Sequence, residues 1–328
     1  MKTFEEKTSP FLHNSETGIN LQLDLFSGLL AVIIIAVVQN GIRVIAITCF
    51  TAFVYCATDT ICNLIFKNGN ENFVRSITTG LIIALICPVT IPLWVPTTAA
   101  FITVIFTKII LGKTYKKLFI NSVIAWLIML TIAPMQMTVF PAVRGFNVFP
   151  IFDNVEYFQE TFSVAQSLQS HRTPPYSVLN LLTGHYPGGM GTTCIFIILA
   201  VCVFFIFRKN MAWQVSLSMI LTVSAFALIF NRTTSSVLYS VLYELAATSY
   251  IFVAVFVAGD IINAPMLTIS KILYGVLIGT VTMLCRYLGL AEHCVVISLL
   301  ICNLLVELLD LFALKYELRY TKRKVFKL

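Results

Sequence analysis

The stretch from residue 192 to residue 208 reads TTCIFIILAVCVFFIFR, and it contains no charged residue before Arg208. A helix that crosses a lipid bilayer needs about 20 mostly apolar residues, so this stretch predicts a membrane-spanning helix. Similar apolar blocks recur along the chain, near 22–40, 42–66, 76–94, 96–112, 118–140, 192–208, 212–230, 235–258, 267–289 and 291–313. The sequence therefore predicts an all-α polytopic membrane protein with about ten transmembrane helices.

Composition agrees with a membrane protein. Of the 328 residues, 58% are hydrophobic and 11% are charged, whereas an average soluble domain has about 25% charged residues. The 22 basic and 15 acidic residues give a net charge of +7, which in a soluble protein could indicate nucleic-acid binding. Here the basic residues stand in small groups between apolar blocks, so we expect a lipid bilayer and no nucleic acid as the partner.

The distribution of these basic residues predicts an orientation. With the N-terminus in the cytoplasm, 17 lysines and arginines fall on the cytoplasmic side and 5 on the other side. Cytoplasmic loops of membrane proteins carry an excess of Lys and Arg, so both termini are expected in the cytoplasm. The five residues expected outside are Arg43, Arg144, Arg172, Arg232 and Arg286.

The order of polar and apolar segments predicts five regions, and we detect no internal repeat. One long polar segment is expected on the extracytoplasmic side, where a loop of such length is usually functional. The regions are a cytoplasmic N-terminal segment (1–21), five transmembrane helices (22–140), the extracytoplasmic loop (141–191), five further transmembrane helices (192–313) and a basic cytoplasmic tail (314–328).

The third apolar block contains two prolines. Pro88 and Pro92 cannot continue the hydrogen-bonding ladder of a helix. We therefore expect a broken or re-entrant helix in block 76–94. Such a break is tolerated at membrane depth only where protein or water satisfies the freed backbone groups.

The outer segment contains a candidate phosphate site. Thr173 followed by Pro174 predicts a helix start, with Thr173 as the N-cap and the proline at the first helical position. A helix start presents free N–H groups and a positive dipole end to an anion, so the Thr173 hydroxyl is a candidate to carry or contact a phosphate. The alternative is that Thr173 only caps the helix. A short amphipathic piece follows and is expected to end at Gly184.

The turn at 187–191 has a similar pair of interpretations. Its glycines, Gly188, Gly189 and Gly191, would let the backbone approach a ligand closely or adopt positive φ. The alternative is a plain turn into the next membrane span. The sequence contains no Walker motif and no Rossmann fingerprint, so nucleotide hydrolysis and direct NADH binding are not expected.

Ionisable residues at membrane depth are candidates for an ion path, because each costs at least about 2.5 kcal/mol at a helix centre. Asp59 and Glu244 lie within predicted spans, and Asp260 lies near the end of one. The spacing of the four histidines does not predict a zinc or haem site, so no metal is expected.

The segment 79–94, TGLIIALICPVTIPLW, resembles a known family. It is similar to RnfD, a membrane subunit of the Rnf ion-translocating electron-transport complex, and to the related NqrB of the sodium-translocating NADH:quinone reductase. The resemblance covers most of the chain from about residue 75 onward, and the first two spans fit in hydropathy and position. Further matches in chain order are Lys108, Gly112, Lys116, Phe119, Asp260, Pro265, Lys271, Tyr274, Gly275, Gly279, Arg286, Asn303 and Asp310.

The resemblance implies a flavin. In the family, FMN is attached through its phosphate to a threonine of an outer loop, within a Ser-Gly-Ala-Thr signature or a similar one. Ser170, His171, Arg172 and Thr173 match that signature, with His-Arg in place of Gly-Ala. Arg172 could neutralise the phosphate, and Gly188 and Gly191 fall in a second matching segment, 184–193. Covalent FMN at Thr173, non-covalent flavin such as riboflavin, and absence of flavin all remain open.

The resemblance also implies a function and partners. We expect a membrane subunit of an Rnf-type complex in a bacterial or archaeal cytoplasmic membrane, which passes electrons through FMN and contributes to sodium or proton translocation. Other subunits of the complex and a flavin transferase are the expected partners, and the chain would not be catalytic alone. The alternative is a flavin-free transporter, or a structural or ion-conducting scaffold subunit.

Overall fold

The structure, a computed structural model, describes residues 18–66, 73–110, 120–138, 140, 163–232, 236–290 and 292–325. The regular elements within these ranges are helices, and one isolated bridge joins Met211 and Asp260. Parts of the predicted regions lie outside the described residues, among them 1–17 of the N-terminal segment, 111–119 with the matched positions 112, 116 and 119, 141–162 of the outer segment with Arg144, and 326–328 of the tail.

Twelve of the fourteen α-helices of the described residues follow the apolar blocks, two short ones lie between residues 141 and 191, and a π-helical stretch, Phe106–Ile110, extends the fourth. Their bounds are α1 Gly18–Asn40, α2 Arg43–Phe66, α3 Phe73–Ile86, α4 Trp94–Ile105, α5 Asn121–Ile132, α6 Pro134–Thr138, α7 Val164–Gln169, α8 Val178–Thr183, α9 Ile195–Phe207, α10 Trp213–Ile229, α11 Val237–Ala246, α12 Tyr250–Phe256, α13 Thr268–Tyr287 and α14 Cys294–Val325.

The helices agree with a multi-pass membrane protein. Each of the ten predicted blocks contains at least one helix. Within the described residues, five helical stretches are long and apolar enough to cross a membrane: α1, α2, α11 with α12, α13 and α14. The other five blocks hold apolar helices of 10–17 residues.

The break predicted in the third block is confirmed. The helix α3 stops at Ile86, before Pro88, and α4 begins only at Trp94. Buried Arg43 compensates part of the break, because its Nη2 donates a hydrogen bond of 3.1 Å to the carbonyl oxygen of Ile91.

A second break divides the eighth block, where the sequence predicts a continuous helix. Between α11 and α12, a 3₁₀ turn covers Ala247–Ser249. Thr248 and Ser249 have φ values of +61° and +58°, which are uncommon for residues other than glycine. All seven residues of α12 are buried, so the broken helix lies at the centre of the bundle.

The bundle has two ends, which we name after residues of α1. At the Asp24 end, Asp24 forms an ion pair with Arg208 at 3.0 Å, so the start of α1 meets the end of α9. At the Gln39 end, Gln39 donates a 2.6 Å hydrogen bond to the carbonyl oxygen of Thr183, so the end of α1 meets the segment before α9. The helices α1 and α9 therefore run in opposite directions.

The helices pack in a similar order in two halves of the chain. The first half is α1 to α5 and the second half is α9 to α14. In the first half α2 packs against α3 and α4, and α4 packs against α5. In the second half α10 packs against α11, α12 and α13, and α13 packs against α14. Because α9 runs opposite to α1, the second half repeats this arrangement in the inverted direction.

Candidate functional site

The predicted helix start at Thr173 is wrong. The helix α7 ends at Gln169, and residues 172–174 are not helical. The next helix, α8, begins at Val178, where the Ser177 hydroxyl accepts a 3.3 Å hydrogen bond from the Asn180 backbone N–H. Thr173 is therefore neither an N-cap nor part of a helix-terminal anion site. The expected end of this helix at Gly184 is confirmed, with φ of +88°.

The predicted attachment residues lie instead on an exposed connection between α7 and α8. The side chains of Ser170, His171, Arg172 and Thr173 are all exposed. The Ser170 hydroxyl donates to the carbonyl oxygen of Ser167 at 3.0 Å. The Thr173 hydroxyl makes no hydrogen bond within the described residues. It is therefore open to chemical modification, with the guanidinium of Arg172 on the adjacent residue.

His171 has an unusual backbone conformation. Its φ is +53°, in the left-handed region where glycine is favoured. The signature implied by the family resemblance has Gly-Ala where this chain has His171 and Arg172. A glycine would thus suit the backbone at position 171 better than the histidine does.

The glycine turn, residues 186–193, packs against the end of α3. The backbone N–H groups of Met190 and Gly191 donate to the carbonyl oxygens of Cys87 and Leu85, at 2.8 and 2.9 Å. A Cβ atom at Gly191 would lie 2.7 Å from the Leu85 side chain, and one at Gly189 would lie 2.5 Å from the Ile86 carbonyl oxygen.

These glycines are therefore required for close contact with protein rather than for positive φ. The turn supplies hydrogen-bond donors to the carbonyl groups that the end of α3 leaves free. Gly188 differs in that a Cβ there would approach Thr193 at 2.7 Å. Gly188 also lines a cleft at the Gln39 end.

This cleft lies between the glycine turn, the start of α7 and the break between α11 and α12, and about 20 Å³ of it is accessible to water. Its polar lining includes Ser163, Thr192, Thr248, Ser249 and Glu292, whereas Thr173 does not line it. Sequence reasoning missed Glu292 and Ser163. Nothing in the local sequence distinguishes Glu292 from an ordinary carboxylate at the start of a predicted span, because its partner lies 129 positions away in the chain.

The predicted ion-path residue Asp59 lies in a buried cluster toward the Asp24 end. Its carboxylate forms an ion pair of 2.7 Å with Lys108 on the π-helical stretch after α4. The Ser76 hydroxyl donates to it at 2.7 Å, and the Asn63 side chain donates at 3.4 Å. We call these four residues the Asp59 cluster. It holds one negative and one positive charge.

The second predicted ion-path residue, Glu244, lies in a cluster at the Gln39 end. Its carboxylate accepts from Arg286 at 2.7 Å and from Arg232 at 3.4 Å. Arg286 also donates to the carbonyl oxygens of Glu244 and Ala247, at 2.8 and 3.1 Å, and to the Thr248 hydroxyl at 2.7 Å. Arg232, Glu244, Thr248 and Arg286 form the Glu244 cluster, and Arg286 in it binds both the carboxylate and the helix break.

The third candidate, Asp260, lies apart from both clusters. It follows α12 at the Asp24 end, accepting from the Ile262 backbone at 3.2 Å and the Asn263 side chain at 2.9 Å. Burial raises the pKa of the Asp260 carboxyl, while the Ile262 hydrogen bond and the charge of Arg75 oppose the shift. The structure does not bring Asp59, Glu244 and Asp260 into one site.

These features together define a polytopic helical membrane protein, with a broken helix and a buried ion-pair cluster in each half. Comparison with known families then assigns it. The chain belongs to the NQR2, RnfD, RnfE family, whose model matches residues 5–318. This match confirms the family resemblance predicted from the sequence.

Individual relatives come from both branches of the family. A subunit of the ion-translocating oxidoreductase complex of Actinobacillus succinogenes is 24% identical over 340 residues, covering 94% of this chain and 95% of the relative. A subunit of the Na(+)-translocating NADH-quinone reductase of Chromohalobacter salexigens is 26% identical over 259 residues, or 77% of this chain and 61% of the relative. The corresponding reductase subunit of Klebsiella pneumoniae is 27% identical over 265 residues, or 78% and 62%. The chain thus spans about three fifths of these two reductase subunits.

Proposed function

We propose that this chain is a membrane subunit of an Rnf-type, redox-driven ion-translocating complex, which passes electrons through FMN held on its outer segment. The observation that carries the proposal is the family match over residues 5–318, together with relatives that are named as subunits of ion-translocating oxidoreductases. Other subunits of that complex would supply the remaining redox centres.

The proposed orientation places the Gln39 end on the extracytoplasmic face of a bacterial or archaeal cytoplasmic membrane, with both termini in the cytoplasm. Arg43, Arg232 and Arg286, which the charge distribution assigns to the outside, all lie toward this end, and Arg208 lies at the opposite end. In this arrangement all ten apolar blocks cross the membrane. The helices α3 and α9 are among the shorter ones. The segment 87–93 after α3 and the glycine turn before α9 would complete these two crossings at their outer ends.

Thr173 fits covalent attachment better than enclosure of a flavin. Its exposed hydroxyl, on a non-helical connection, is accessible to a flavin transferase, and Arg172 offers a positive charge to the phosphate. The cleft near Gly188, with about 20 Å³ accessible to water, is too small to enclose a whole cofactor, because cofactor pockets are typically about 300–1,000 Å³. FMN bound at Thr173 would accept and release electrons, and non-covalent riboflavin is the second candidate.

The test is flavin fluorescence that survives denaturing electrophoresis, after co-expression with a flavin transferase. We expect a fluorescent band for the wild type and for Thr183→Ala, which removes another exposed threonine hydroxyl of the same segment. Thr173→Ala should abolish the band. Fluorescence retained in Thr173→Ala would contradict the assignment of the attachment residue.

A flavin-free subunit is the alternative, and the exposed side chains of His171 and Arg172 beside Thr173 favour it. A transferase must admit the acceptor loop into its own site, and His171 with Arg172 is bulkier than Gly-Ala. If the wild type lacks the band while His171→Gly combined with Arg172→Ala acquires it, the natural chain carries no covalent flavin. Absorbance of the native protein then decides whether flavin binds non-covalently.

A further inference from the structure

A carboxyl group lies in the cleft at the Gln39 end, outside the residues discussed as the ion path. Glu292, in the short connection between α13 and α14, lines this cleft with Ser163, Thr248 and Ser249. We propose that the cleft binds a single monovalent cation, Na⁺ or a proton, on the carboxylate of Glu292. The inference rests on the proposed function, since it gives an ion-translocating subunit an ion-binding position at its outer end.

The oxygen atoms of the cleft suit a small hard cation. The Ser163 hydroxyl donates a hydrogen bond to Glu292 Oε1, while Glu292 Oε2 has no hydrogen-bonding partner within the described residues. The hydroxyls of Thr248 and Ser249 line the same space. Carboxylate, hydroxyl and carbonyl oxygens are the ligands that hard cations prefer, and a protonated carboxyl is the corresponding proton-bound form.

The helix break holds these hydroxyl groups in place. Arg286 donates to the Thr248 hydroxyl at 2.7 Å and to the Ala247 carbonyl oxygen at 3.1 Å. Tyr186 donates to the carbonyl oxygen of Ala246 at 3.3 Å, which joins the glycine turn to the same break. Hydrogen bonds thus fix the helix break against both α13 and the glycine turn.

Glu292 has no ion-pair partner among the described residues, and this distinguishes it from Glu244. Among the described residues, the titratable and charged groups that act on it are Arg286 from α13, Tyr186 from the glycine turn and Cys294 from α14. The adjacent His293 packs its ring edge-on against Trp126, and the described residues of α7 carry no charge. Arg286 is already engaged with Glu244 at 2.7 Å. Burial raises the pKa of Glu292 to about 7, against the opposing effects of the Ser163 hydrogen bond and Arg286.

The size of the cleft also indicates a small occupant. About 20 Å³ of it is accessible to water, which is room for about one water molecule. A single small ion, or a proton with one water, fits this space, whereas small-molecule ligands usually need about 300–1,000 Å³.

The experiment measures the Tm of the purified complex that contains the full chain, at about pH 5 and about pH 8, in NaCl or KCl of equal ionic strength. Three forms are compared: wild type, Glu292→Gln and Glu307→Gln. Glu307 is an exposed carboxylate on α14, so its substitution is the matched control. Gln resembles a neutral carboxyl, so Glu292→Gln should match the wild type at the lower pH.

Either of two results supports the proposal. If Na⁺ binds, NaCl raises the Tm above that in KCl by roughly 2–4 °C at the higher pH only. If the occupant is a proton, the two salts act alike and the Tm falls as the pH rises between the unfolded value of about 4.5 and the folded value of about 7, because only the folded chain keeps the proton in that range. In both cases Glu307→Gln behaves as the wild type, and Glu292→Gln loses the response.

The proposal is overturned if wild type and Glu292→Gln respond alike to pH and to salt. Should Glu292→Gln not fold, Ser163→Ala replaces it. Removing this donor to the ionised carboxyl should move the fall in Tm to higher pH, and an unchanged profile counts against the cleft. Flavin fluorescence in the same preparations separates the two proposals, because flavin without a cation response overturns only the cleft, and the reverse overturns only the flavin assignment.

Discussion

The Asp59 cluster and the Glu244 cluster occupy corresponding places in the two halves, but they are built from different cations. The Asp59 cluster joins the end of α2 to α3 and to the π-helical stretch after α4. The Glu244 cluster joins the chain just after α10 to α11 and α13. Asp59 pairs with one lysine, whereas Glu244 pairs with two arginines, one of which also binds the helix break. An arginine holds several partners in a fixed plane, while a lysine is a point charge on a flexible chain.

This difference suggests different roles for the two predicted ion-path residues. In the Asp59 cluster a cation could replace Lys108, because Ser76 and Asn63 would still supply polar atoms around the carboxylate. In the Glu244 cluster, displacing Arg286 would also release two backbone carbonyl groups. We therefore regard Asp59 as the stronger candidate for ion exchange. Glu244 instead belongs to a structural ion pair in which Arg286 holds the helix break in place, and we call this pair the brace.

The largest effect is expected from breaking the brace. Arg286→Gln leaves Glu244 with one distant partner and frees buried carbonyl groups, so it should lower the free energy of unfolding by about 3–5 kcal/mol. The matched control is Arg208→Gln, since the half-exposed pair with Asp24 should contribute less than about 1 kcal/mol. Reversible unfolding in mixed micelles measures both. Equal losses for the two variants would contradict the distinction between brace and surface pair.

Next in size is a double-mutant comparison of the two clusters. Lys108→Met alone leaves a buried charge unpaired and should destabilise by about 3 kcal/mol. Adding Asp59→Asn should recover most of that loss, because both charges are then gone. The corresponding pair Glu244→Gln with Arg286→Met should recover little, since the helix break remains without its donor. Recovery of similar size in both clusters would mean that the arginine is not a brace.

A smaller effect is expected in the glycine turn, which lies between the halves. Gly189→Ala would place a Cβ atom 2.5 Å from the Ile86 carbonyl oxygen, so the turn must shift, at a cost of about 1–3 kcal/mol. Gly18→Ala is the control, because no atom lies within 4 Å of a Cβ there. Thermal unfolding in detergent compares them, and an unaltered Tm for Gly189→Ala would show that the turn yields without strain.

The smallest effect concerns the exposed connection at His171. His171→Gly removes a side chain from a left-handed backbone, and relief of that strain should exceed the entropic cost of glycine by about 0.5 kcal/mol. His185→Gly should instead destabilise, because φ at His185 is not positive and its ring contacts the Thr183 hydroxyl at 2.9 Å. The change in Tm relative to the wild type is measured for both variants side by side. A change of the same sign in both would be inconsistent with strain at His171.

Hydropathy predicted the helical blocks well, because burial in lipid demands long apolar stretches whatever the tertiary contacts are. It also predicted the break before Pro88, since proline removes a helical hydrogen bond by its own chemistry. The break at Ala247–Ser249 carries no such local signal, and its partner Arg286 is 39 positions away. The similar packing of the two halves was likewise not predicted. It depends on contacts between helices, and these can persist after two sequences have diverged too far to be recognised as a repeat.

The candidate site was predicted less well than the fold. Thr173 and Pro174 have the composition of a helix start, but α8 begins at Val178 and Ser177 caps it. Thr173 and Ser177 are both suitable N-cap residues by local propensity, and tertiary packing decides that the helix begins after Ser177. Glu292 was missed for a related reason, since only the folded chain brings Ser163 and the helix break beside it.

The short helix α9 has a consequence for the electric field within the protein. Its 13 residues rise about 20 Å, compared with about 30 Å for the hydrocarbon core of a bilayer. In an energised membrane, the work of moving one charge is fixed at about 2.3 kcal/mol per 100 mV. In the proposed orientation the remaining third of the crossing above α9 is made by the glycine turn, whose residues 189–193 are buried. Part of the voltage would therefore fall across the N–H and C=O groups of a protein turn rather than across a helix in lipid.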